Sequence, residues 1–307
     1  MKPLTFVFAL ELLFLSACGG ESLASDPSTA ACDAPPVTFG DGAALSDHQE
    51  VEVHFTCEGV VLAGTLYLPN GPDPHPALVW VHGSGKSTRL GYGGALVPTL
   101  VQSGLAVLSY DKRGVGQSLG VCCPGDADHF NLLAADVVGA VNVLRSRSDI
   151  DSQHIGLLGA SQAGWIVPLA AVRSGHVAFN ALVDAPTVTT GEERLYSKLT
   201  GDDEGRDSGL AKQEVARRLK AAGPSGFDPA PVITQMTAPG LWLYGARDQS
   251  IPSEESAATL ERMKSSQGKD FTVVMFPNAG HGLLDVPPSD RQALPTLVEW
   301  ILSRVRP

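Results

Sequence analysis

The sequence has no cluster of lysine or arginine residues, and acidic side chains outnumber basic ones. It carries 22 Lys and Arg against 33 Asp and Glu, which gives a formal net charge of -11 at pH 7. Proteins that bind nucleic acid usually present a basic face to the phosphate backbone. The charge balance therefore argues against a nucleic-acid partner.

Long apolar runs are also missing, apart from one short stretch near the N-terminus. Leu4–Leu15 is predominantly apolar, follows a minimal basic region at Lys2, and is too short to cross a bilayer. This pattern predicts a signal peptide over residues 1–18. Its last four residues, Leu-Ser-Ala-Cys, resemble a bacterial lipobox. We therefore expect a lipid on Cys18 that anchors the chain to a membrane of the cell envelope, facing the periplasm or the exterior. Secretion as a soluble protein is the alternative.

Cysteine is scarce, and no cysteine has metal-binding spacing. If Cys18 carries a lipid, four of the five cysteines remain, at positions 32, 57, 122 and 123. In an oxidising compartment they can form two disulfides, and the sequence leaves the connectivity open. Because no Cys-x-x-Cys or His-x-x-x-His spacing accompanies them, the sequence predicts no metal site.

The remaining chain divides into a polar segment and one domain. Residues 19–45 are rich in Ser, Asp, Ala, Pro and Gly and have no apolar period, which predicts a flexible tether. Residues 46–307 are long enough to bury the core of a single domain.

From about residue 50, short apolar runs alternate with helical patterns. Val51–Cys57 and Val60–Leu68 predict a hairpin. Continuous apolar strands between amphipathic helices indicate an α/β fold, with a mostly parallel sheet of about eight strands and helices on both faces. Residues 187–235 break the rhythm and predict a small cap inserted over the rim of the sheet, with a helical stretch at 209–222.

The strongest local pattern is an apolar strand that leads through Gly159–Gly164, Gly-Ala-Ser-Gln-Ala-Gly, directly into a helix. It resembles the nucleophile elbow of the α/β-hydrolase superfamily, where a strained turn exposes a serine. The tight turn requires small residues two places before and after the serine, and Gly159 and Ala163 occupy those places. The resemblance implies that Ser161 is a nucleophile. A helix N-cap is the alternative.

A second apolar strand, Ala77–Val81, ends in His-Gly-Ser-Gly, which resembles the oxyanion loop of the same superfamily. That loop and the residue after the nucleophile each supply one backbone N–H to the oxyanion. The resemblance implies that Ser84, or Gly83 beside it, and Gln162 supply these donors. It gives His82 a role in shaping the loop.

The glycines around this loop do not complete a nucleotide-binding motif. Residues 85–87 read Gly-Lys-Ser, but Trp80 stands where a phosphate-binding loop needs its first glycine. Residues 111–118 read Asp-Lys-Arg-Gly-Val-Gly-Gln-Ser and resemble a segment that follows the fourth strand of many α/β-hydrolases. The resemblance implies structural roles for Asp111 and Arg113.

A serine nucleophile needs a base, and the base needs a carboxylate to orient it. In this superfamily the chain order is serine, acid, histidine. Of the two later histidines, His176 is too near to Ser161 in the chain to face it from another strand. His281 follows the last apolar strand on a glycine-flanked loop, where the superfamily carries its catalytic histidine. We therefore expect His281 to be the base, with an ordinary surface histidine as the alternative.

Three aspartates compete for the role of the acid. Asp248 follows an apolar strand in a Gly-x-x-Asp-x-x-x-Pro pattern, which resembles the acid loop of the superfamily. Asp184 is its main rival, because some branches place the acid at the end of that earlier strand. Asp285, shortly after His281, is the weaker rival.

The resemblance covers residues 50–307 and is closest to bacterial α/β-hydrolases with a small cap, akin to peptidase families S9 and S33 and to dienelactone hydrolases. It implies a serine hydrolase that cleaves an ester, thioester or amide of a small acyl substrate through an acyl-enzyme on Ser161, without a cofactor. A compact serine aminopeptidase is the alternative among enzymes. Its substrate amine would be held by acidic residues of the cap, namely Asp202, Asp203, Glu204 and Asp207. A non-catalytic envelope protein that binds a ligand is the alternative outside enzymes.

Overall fold

The computed structural model describes residues 32, 36–89, 95–285 and 287–306. The predicted signal peptide with Cys18, and residues 19–31 of the predicted tether, lie outside the described residues. Those described form one sheet flanked by helices on both faces, which confirms the predicted α/β fold class.

The sheet has ten strands, and its larger part is parallel. In chain order the strands are β1 (Val37–Phe39), β2 (Ala43–Ala44), β3 (His48–Cys57), β4 (Val60–Pro69), β5 (His75–Val81), β6 (Ala106–Tyr110), β7 (Ile150–Ala160), β8 (Phe179–Val183), β9 (Gly240–Gly245) and β10 (Phe271–Phe276). Their order across the sheet is β1-β3-β4-β6-β5-β7-β8-β9-β10, and β2 pairs with β3. Strands β5 to β10 pair in parallel with their neighbours among themselves. Strands β1 to β4 pair antiparallel and form one edge of the sheet, and β4 also pairs antiparallel with β6.

The predicted hairpin is the antiparallel pair of β3 and β4. Its register places Cys57 opposite Val60, so a two-residue turn joins the strands. Both turn residues have positive φ, 52° at Glu58 and 69° at Gly59. This backbone matches the right-handed twist of paired strands, which favours turns with two positive φ angles.

The short strands β1 and β2 correct the predicted tether. Residues 37–39 pair with β3 opposite Val53–Phe55, and residues 43–44 pair with its beginning. The prediction of a tether was therefore wrong for this part of 19–45. Edge pairing of two or three residues uses backbone hydrogen bonds and leaves no apolar period to recognise. A disulfide between Cys32 and Cys57 holds the preceding chain to the same edge.

Helices cover both faces of the sheet. They are α1 (Leu96–Gln102), α2 (Ala127–Arg145), α3 (Ala163–Ser174), α4 (Thr190–Thr200), α5 (Lys212–Ala222), α6 (Ala230–Ile233), α7 (Ser253–Gln267) and α8 (Ala293–Val305). One core cluster packs α2, α3, α6 and α7 against one face, and a second packs α1 and α8 against the other. Strands buried on both faces explain why their sequences are apolar without alternation. Among the described residues, no helix has both the length and the apolar character needed to cross a bilayer.

The chain between β8 and β9, predicted to be a cap, contains α4, a 3-10 helix at Asp202–Glu204, α5 and α6. Helix α4 begins with a capping box, in which the Thr189 side chain and Glu192 bond each other's backbone N–H. The sequence predicted only the helix near 209–222. Helix α4 is polar on average and buries none of its residues fully.

Candidate active site

The predicted nucleophile lies in a strained turn between β7 and α3. Ser161 has a φ of 52°, in the left-handed region that side chains other than glycine rarely adopt. Its N–H donates to the carbonyl oxygen of Val183 at the end of β8, at 3.0 Å. A Cβ added at Gly159 would lie 2.5 Å from the Cβ of Ala163, so the turn has no room for a larger side chain at that position. This agrees with the elbow geometry expected from the sequence.

The predicted oxyanion loop lies directly against Ser161. A Cβ added at Gly83 would be 3.4 Å from the Cβ of Ser161, so the two segments are in contact. Within the described parts of the chain, the backbone N–H groups of Ser84 and Gln162 donate no hydrogen bond. Both residues line the same cavity as Ser161. Two unused donors therefore lie beside the hydroxyl.

His82 is occupied by its surroundings. Its Nδ1 accepts from the indole N–H of Trp80 at 3.1 Å, and its Nε2 bonds the carbonyl oxygen of Tyr110. Burial lowers the pKa of His82 to about 4, so the ring is neutral near pH 7. With both nitrogens engaged, His82 shapes the loop.

Asp248 holds the imidazole of His281. Nδ1 of His281 and Oδ2 of Asp248 are 2.7 Å apart. The other carboxyl oxygen of Asp248 accepts from the backbone N–H groups of Ser250 and Ile251, at 2.7 and 2.9 Å. Burial by itself lowers the pKa of His281. The hydrogen bond to Asp248 and the negative charges of Asp248 and Asp184 outweigh burial and raise the pKa to about 9.

Asp184, the rival acid, holds the backbone of the histidine loop. Its Oδ2 accepts from the N–H groups of Gly282 and Leu283, each at 2.9 Å. Burial raises the pKa of Asp184 to about 6, against the opposing effect of the charge on His281. Asp285, the third candidate, is exposed. Of the three aspartates, only Asp248 is hydrogen-bonded to the ring.

The histidine loop crosses from β10 toward the nucleophile. Ser161 is bonded to Val183, and the next residue, Asp184, is bonded to the peptides that follow His281. The imidazole therefore lies at the carboxyl ends of β8 and β9. In the regions that the structure describes, the Ser161 hydroxyl makes no hydrogen bond to His281, and Nε2 of His281 has no partner. Such contacts are often long in structures without substrate, and Nε2 can accept a proton when the ring is in its neutral form.

Comparison with known proteins places this arrangement in a family. A model of the prolyl oligopeptidase family matches residues 126–306, which is more than half of the chain. The matched part contains the elbow, the acid loop and the histidine loop. The chain belongs to the prolyl oligopeptidase family. It is thus a serine hydrolase of the α/β-hydrolase superfamily, which confirms the resemblance seen in the sequence.

Individual relatives of this family member are distant. It is 24% identical over 250 residues to Esterase EstD of Thermotoga maritima, covering 72% of this chain and 57% of that protein. It is 26% identical over 237 residues to Esterase LipC of Mycobacterium tuberculosis, covering 71% and 55%. The chain thus spans about half the length of these curated relatives. The crystal structure of acetyl xylan esterase 1 from Thermoanaerobacterium has the same fold, with a TM-score of 0.58, 18% identity and 88% coverage of both chains.

In this prolyl oligopeptidase family member, the serine faces a small cavity of about 170 Å³. Phe130 and Trp165 stack with their ring centroids 5.4 Å apart and form an apolar part of its wall. A separate cavity of about 340 Å³ lies between the cap and the acid loop, and Ser161 and His281 do not line it. Of these two cavities, the smaller is the one that Ser161 lines, and His281 lines neither.

The cavity contains a carboxyl group that the sequence did not indicate. Glu193, on α4, lines it together with Ser161, and burial raises the pKa of Glu193 to about 7 despite the nearby charges of Arg194 and His281. Throughout the described chain, its carboxyl has neither a hydrogen bond nor an ion pair. The acidic residues predicted to serve an amine pocket, Asp202, Asp203, Glu204 and Asp207, are exposed. The Thr189-x-x-Glu192 capping box was the signal in the sequence that could have located α4.

One group of side chains in the described residues could hold a metal ion. It consists of Asp184, Asp248 and His281, whose possible ligand atoms all lie within 4.8 Å of one another. Nδ1 of the ring bonds Asp248, and Oδ2 of Asp184 accepts from two peptide N–H groups, whereas Oδ1 of Asp184 has no hydrogen-bond partner within the described residues. This arrangement fits a base oriented by a carboxylate.

The segment predicted to have a structural role has one. Asp111 accepts from the backbone N–H groups of Arg89 and Gln117, each at 2.8 Å. Arg113 pairs through its guanidinium with the buried Asp136 and also donates to the carbonyl oxygen of Cys57. These contacts fix the turn after β6 to α2 and to the antiparallel edge.

Proposed function

We propose that the chain is an esterase that releases a small acyl group from an ester through an acyl-enzyme on Ser161. The observation that carries the proposal is the Asp248–His281 hydrogen bond, on a loop that Asp184 ties to the strand beside the strained Ser161. The likeness to proteins named as esterases, EstD, LipC and acetyl xylan esterase 1, supports ester cleavage.

In this mechanism Nε2 of His281 takes the proton as the Ser161 oxygen attacks the ester carbonyl. Asp248 holds Nδ1–H and stabilises the imidazolium. The N–H groups of Ser84 and Gln162 bind the negatively charged oxygen of the tetrahedral intermediate. His281 then gives its proton to the departing alcohol. A water molecule, deprotonated by the same nitrogen, hydrolyses the acyl-enzyme and restores the hydroxyl.

The size of the cavity favours small acyl groups. At about 170 Å³ it lies below the range of roughly 300–1,000 Å³ that holds drug-sized ligands. The apolar rings of Phe130 and Trp165 suit a short alkyl chain. We therefore expect kcat/KM to be highest for acetyl and propionyl esters and to fall as the acyl chain lengthens.

The direct test uses Ser161→Ala with p-nitrophenyl acetate as substrate. We expect kcat to fall by roughly 10⁴-fold or more, because the nucleophile is removed. Ser303→Ala, which alters an exposed serine on α8, is the matched control. A fluorophosphonate probe should label the unaltered protein and Ser303→Ala but leave Ser161→Ala unlabelled. Full activity in Ser161→Ala would refute the mechanism, and absence of labelling in all three would favour a non-catalytic binding protein.

Glu193 favours a second candidate, a compact aminopeptidase. A carboxylate beside the nucleophile can pair with the ammonium group of an aminoacyl substrate. For this candidate, Glu193→Gln should lower kcat/KM on aminoacyl p-nitroanilides at least tenfold and leave p-nitrophenyl acetate hydrolysis nearly unchanged. Equal effects on both substrates, or no aminoacyl activity in the unaltered protein, would exclude it.

We also propose that the mature chain acts in the cell envelope, anchored by a lipid on Cys18. The Cys32–Cys57 disulfide supports an oxidising compartment. In a bacterial host, the unaltered protein should incorporate labelled palmitate and sediment with membranes, whereas Cys18→Ala should do neither. Soluble unaltered protein in the medium would instead indicate secretion without an anchor.

A further inference from the structure

A buried lysine lies between the oxyanion loop and the nucleophile elbow. The side chain of Lys112 donates to the carbonyl oxygens of Gly83 and Gly85, at 2.7 and 3.3 Å, and to the side-chain oxygen of Gln162 at 2.8 Å. Its backbone N–H donates to Ser87 at 3.1 Å. An ammonium has three N–H donors, and here each has an oxygen acceptor. Lys112 is only 2% exposed.

The charge of this ammonium is not neutralised by a carboxylate in contact with it. No ion pair involves Lys112 in the described structure, and the next residue in the chain, Arg113, pairs with Asp136 instead. Burial lowers the pKa of Lys112 to about 8, so the group remains largely protonated at neutral pH. A buried cation held only by neutral oxygens is costly to stability, and such costs are typical of functional sites.

The acceptors of Lys112 are the groups that carry the two oxyanion donors. The carbonyl of Gly83 and the N–H of Ser84 belong to one planar trans peptide, so the two groups point in opposite directions. A hydrogen bond to the carbonyl therefore fixes the direction of the N–H and polarises it. The same ammonium holds the side chain of Gln162, whose backbone N–H is the second donor.

We infer that Lys112 is a positioning residue that locks the two oxyanion donors together and strengthens them as negative charge develops on the substrate. The inference rests on the proposed function, because it needs an oxyanion at that place. Lys112 itself touches no substrate atom and acts through the peptide of Ser84 and through Gln162. A fixed positive charge behind the donors, inside the protein, stabilises an oxyanion without reorganisation during the reaction.

The test replaces Lys112 with methionine, which keeps the length of the side chain and removes the charge and the donors. We expect kcat for p-nitrophenyl acetate to fall about 10²- to 10³-fold, the loss typical of one missing oxyanion donor, with KM changed less than about threefold. The Ki of a boronic acid, which forms a tetrahedral adduct with the serine, should rise by a factor similar to the loss in kcat/KM. Circular dichroism and thermal unfolding measure the folded fraction, to which the rates are normalised.

Arg113→Lys is the matched control, because it alters the neighbouring buried cation and weakens its bidentate contact with Asp136. It should lower Tm without changing kcat or the boronate Ki of the folded protein. A purely structural role of Lys112 predicts this same result for Lys112→Met.

Lys112→Gln, which keeps a neutral donor, covers the case in which the methionine variant does not fold. We expect it to lose at least tenfold in kcat with the same rise in Ki. A folded variant of either kind with kcat and Ki within about twofold of the unaltered protein would overturn the inference. If the Lys112 variants are unchanged while Ser161→Ala is inactive in the same assays, the inference about Lys112 is wrong and the proposed esterase function stands.

Discussion

Two buried aspartates near one imidazole have different partners. Asp248 bonds the ring of His281, whereas Asp184 bonds the two peptide groups that follow it. Both negative charges raise the pKa of His281, but only Asp248 also fixes which ring nitrogen carries the proton. His281, the proposed base, therefore has its tautomer set by Asp248 and the position of its loop set by Asp184.

Replacement of Asp248 by asparagine should change both the rate and its pH dependence. His281 must be unprotonated at Nε2 to act as a base, so kcat/KM should rise as the pH passes upward through its pKa of about 9. Asp248→Asn removes a charge and a hydrogen bond that favour the protonated ring, so the midpoint should move to lower pH. We expect kcat to fall by roughly 10⁴-fold, as removal of a triad carboxylate does in serine proteases.

Asp184→Asn provides the comparison in the same pH–rate measurements. It removes a charge near His281 but leaves the ring's hydrogen bond in place, so the midpoint should also fall, by less than in Asp248→Asn. The amide oxygen can still accept from the loop, and we expect a loss in kcat of about tenfold, which corresponds to one weakened hydrogen bond to a charged group. A larger loss in Asp184→Asn than in Asp248→Asn would show that Asp184 is the triad acid.

At the scale of elements, the elbow depends on close contact between the end of β7 and the first turn of α3. A methyl group at position 159 would lie 2.5 Å from the Cβ of Ala163 and 3.1 Å from the carbonyl oxygen of Val81. We therefore expect Gly159→Ala to lower the free energy of unfolding by about 1–3 kcal/mol through overpacking, and to lower kcat as Ser161 shifts.

A double-mutant cycle with Ala163→Gly tests this cause. Removing the methyl group at position 163 takes away the closer of the two contacts, so the double variant should recover part of the stability and activity lost in Gly159→Ala. Denaturant unfolding and kcat are measured for all four proteins. Strict additivity of the two changes would mean that the Gly159–Ala163 contact is not what excludes a larger residue.

The elements that position the site could be predicted because their sequences follow burial. Strand β8 is buried at all five positions, and four of these are apolar, so burial shows in its sequence. Helix α4 and the short edge strands β1 and β2 escaped prediction because they bury few side chains. Glu193 and Lys112 escaped it for a related reason, because Glu and Lys are usually exposed. Only the folded chain shows that Lys112 is buried against Gly83 and Gln162, and that Glu193 is half-buried in the cavity that Ser161 lines.

For the whole molecule, the parallel sheet brings together residues that are far apart in the chain. Ser161, Asp184, Asp248 and His281 each follow a different strand, and the carboxyl ends of neighbouring parallel strands lie at one edge. The order of motifs in the sequence predicted that these four residues would follow neighbouring strands at that edge. The motifs could not decide between Asp184 and Asp248, because the two residues follow neighbouring strands. The path of the histidine loop decides which of them bonds the ring and which bonds the backbone.

The Cys32–Cys57 disulfide joins the chain before the first strand to the antiparallel edge, across a separation of 25 residues. Loop-closure entropy for a ring of this size gives a stabilisation of roughly 3 kcal/mol. Cys32→Ala should lower the free energy of unfolding by about that amount and leave kcat of the folded protein nearly unchanged, because Cys32 contacts α2 and β3 and no residue that we place in catalysis.

A reductant should have the same effect on stability as Cys32→Ala. The adjacent pair Cys122–Cys123 is also joined in the structure, so the measurement is made in a Cys122→Ser/Cys123→Ser background, where Cys32–Cys57 is the remaining disulfide of the described chain. Dithiothreitol should lower the denaturant midpoint in that background and have no effect once Cys32→Ala is added. Equal midpoints with and without reductant in the background protein would show that this disulfide does not stabilise the fold. A confirmed loss would mean that the enzyme keeps its full stability only in an oxidising compartment, as the proposed envelope location requires.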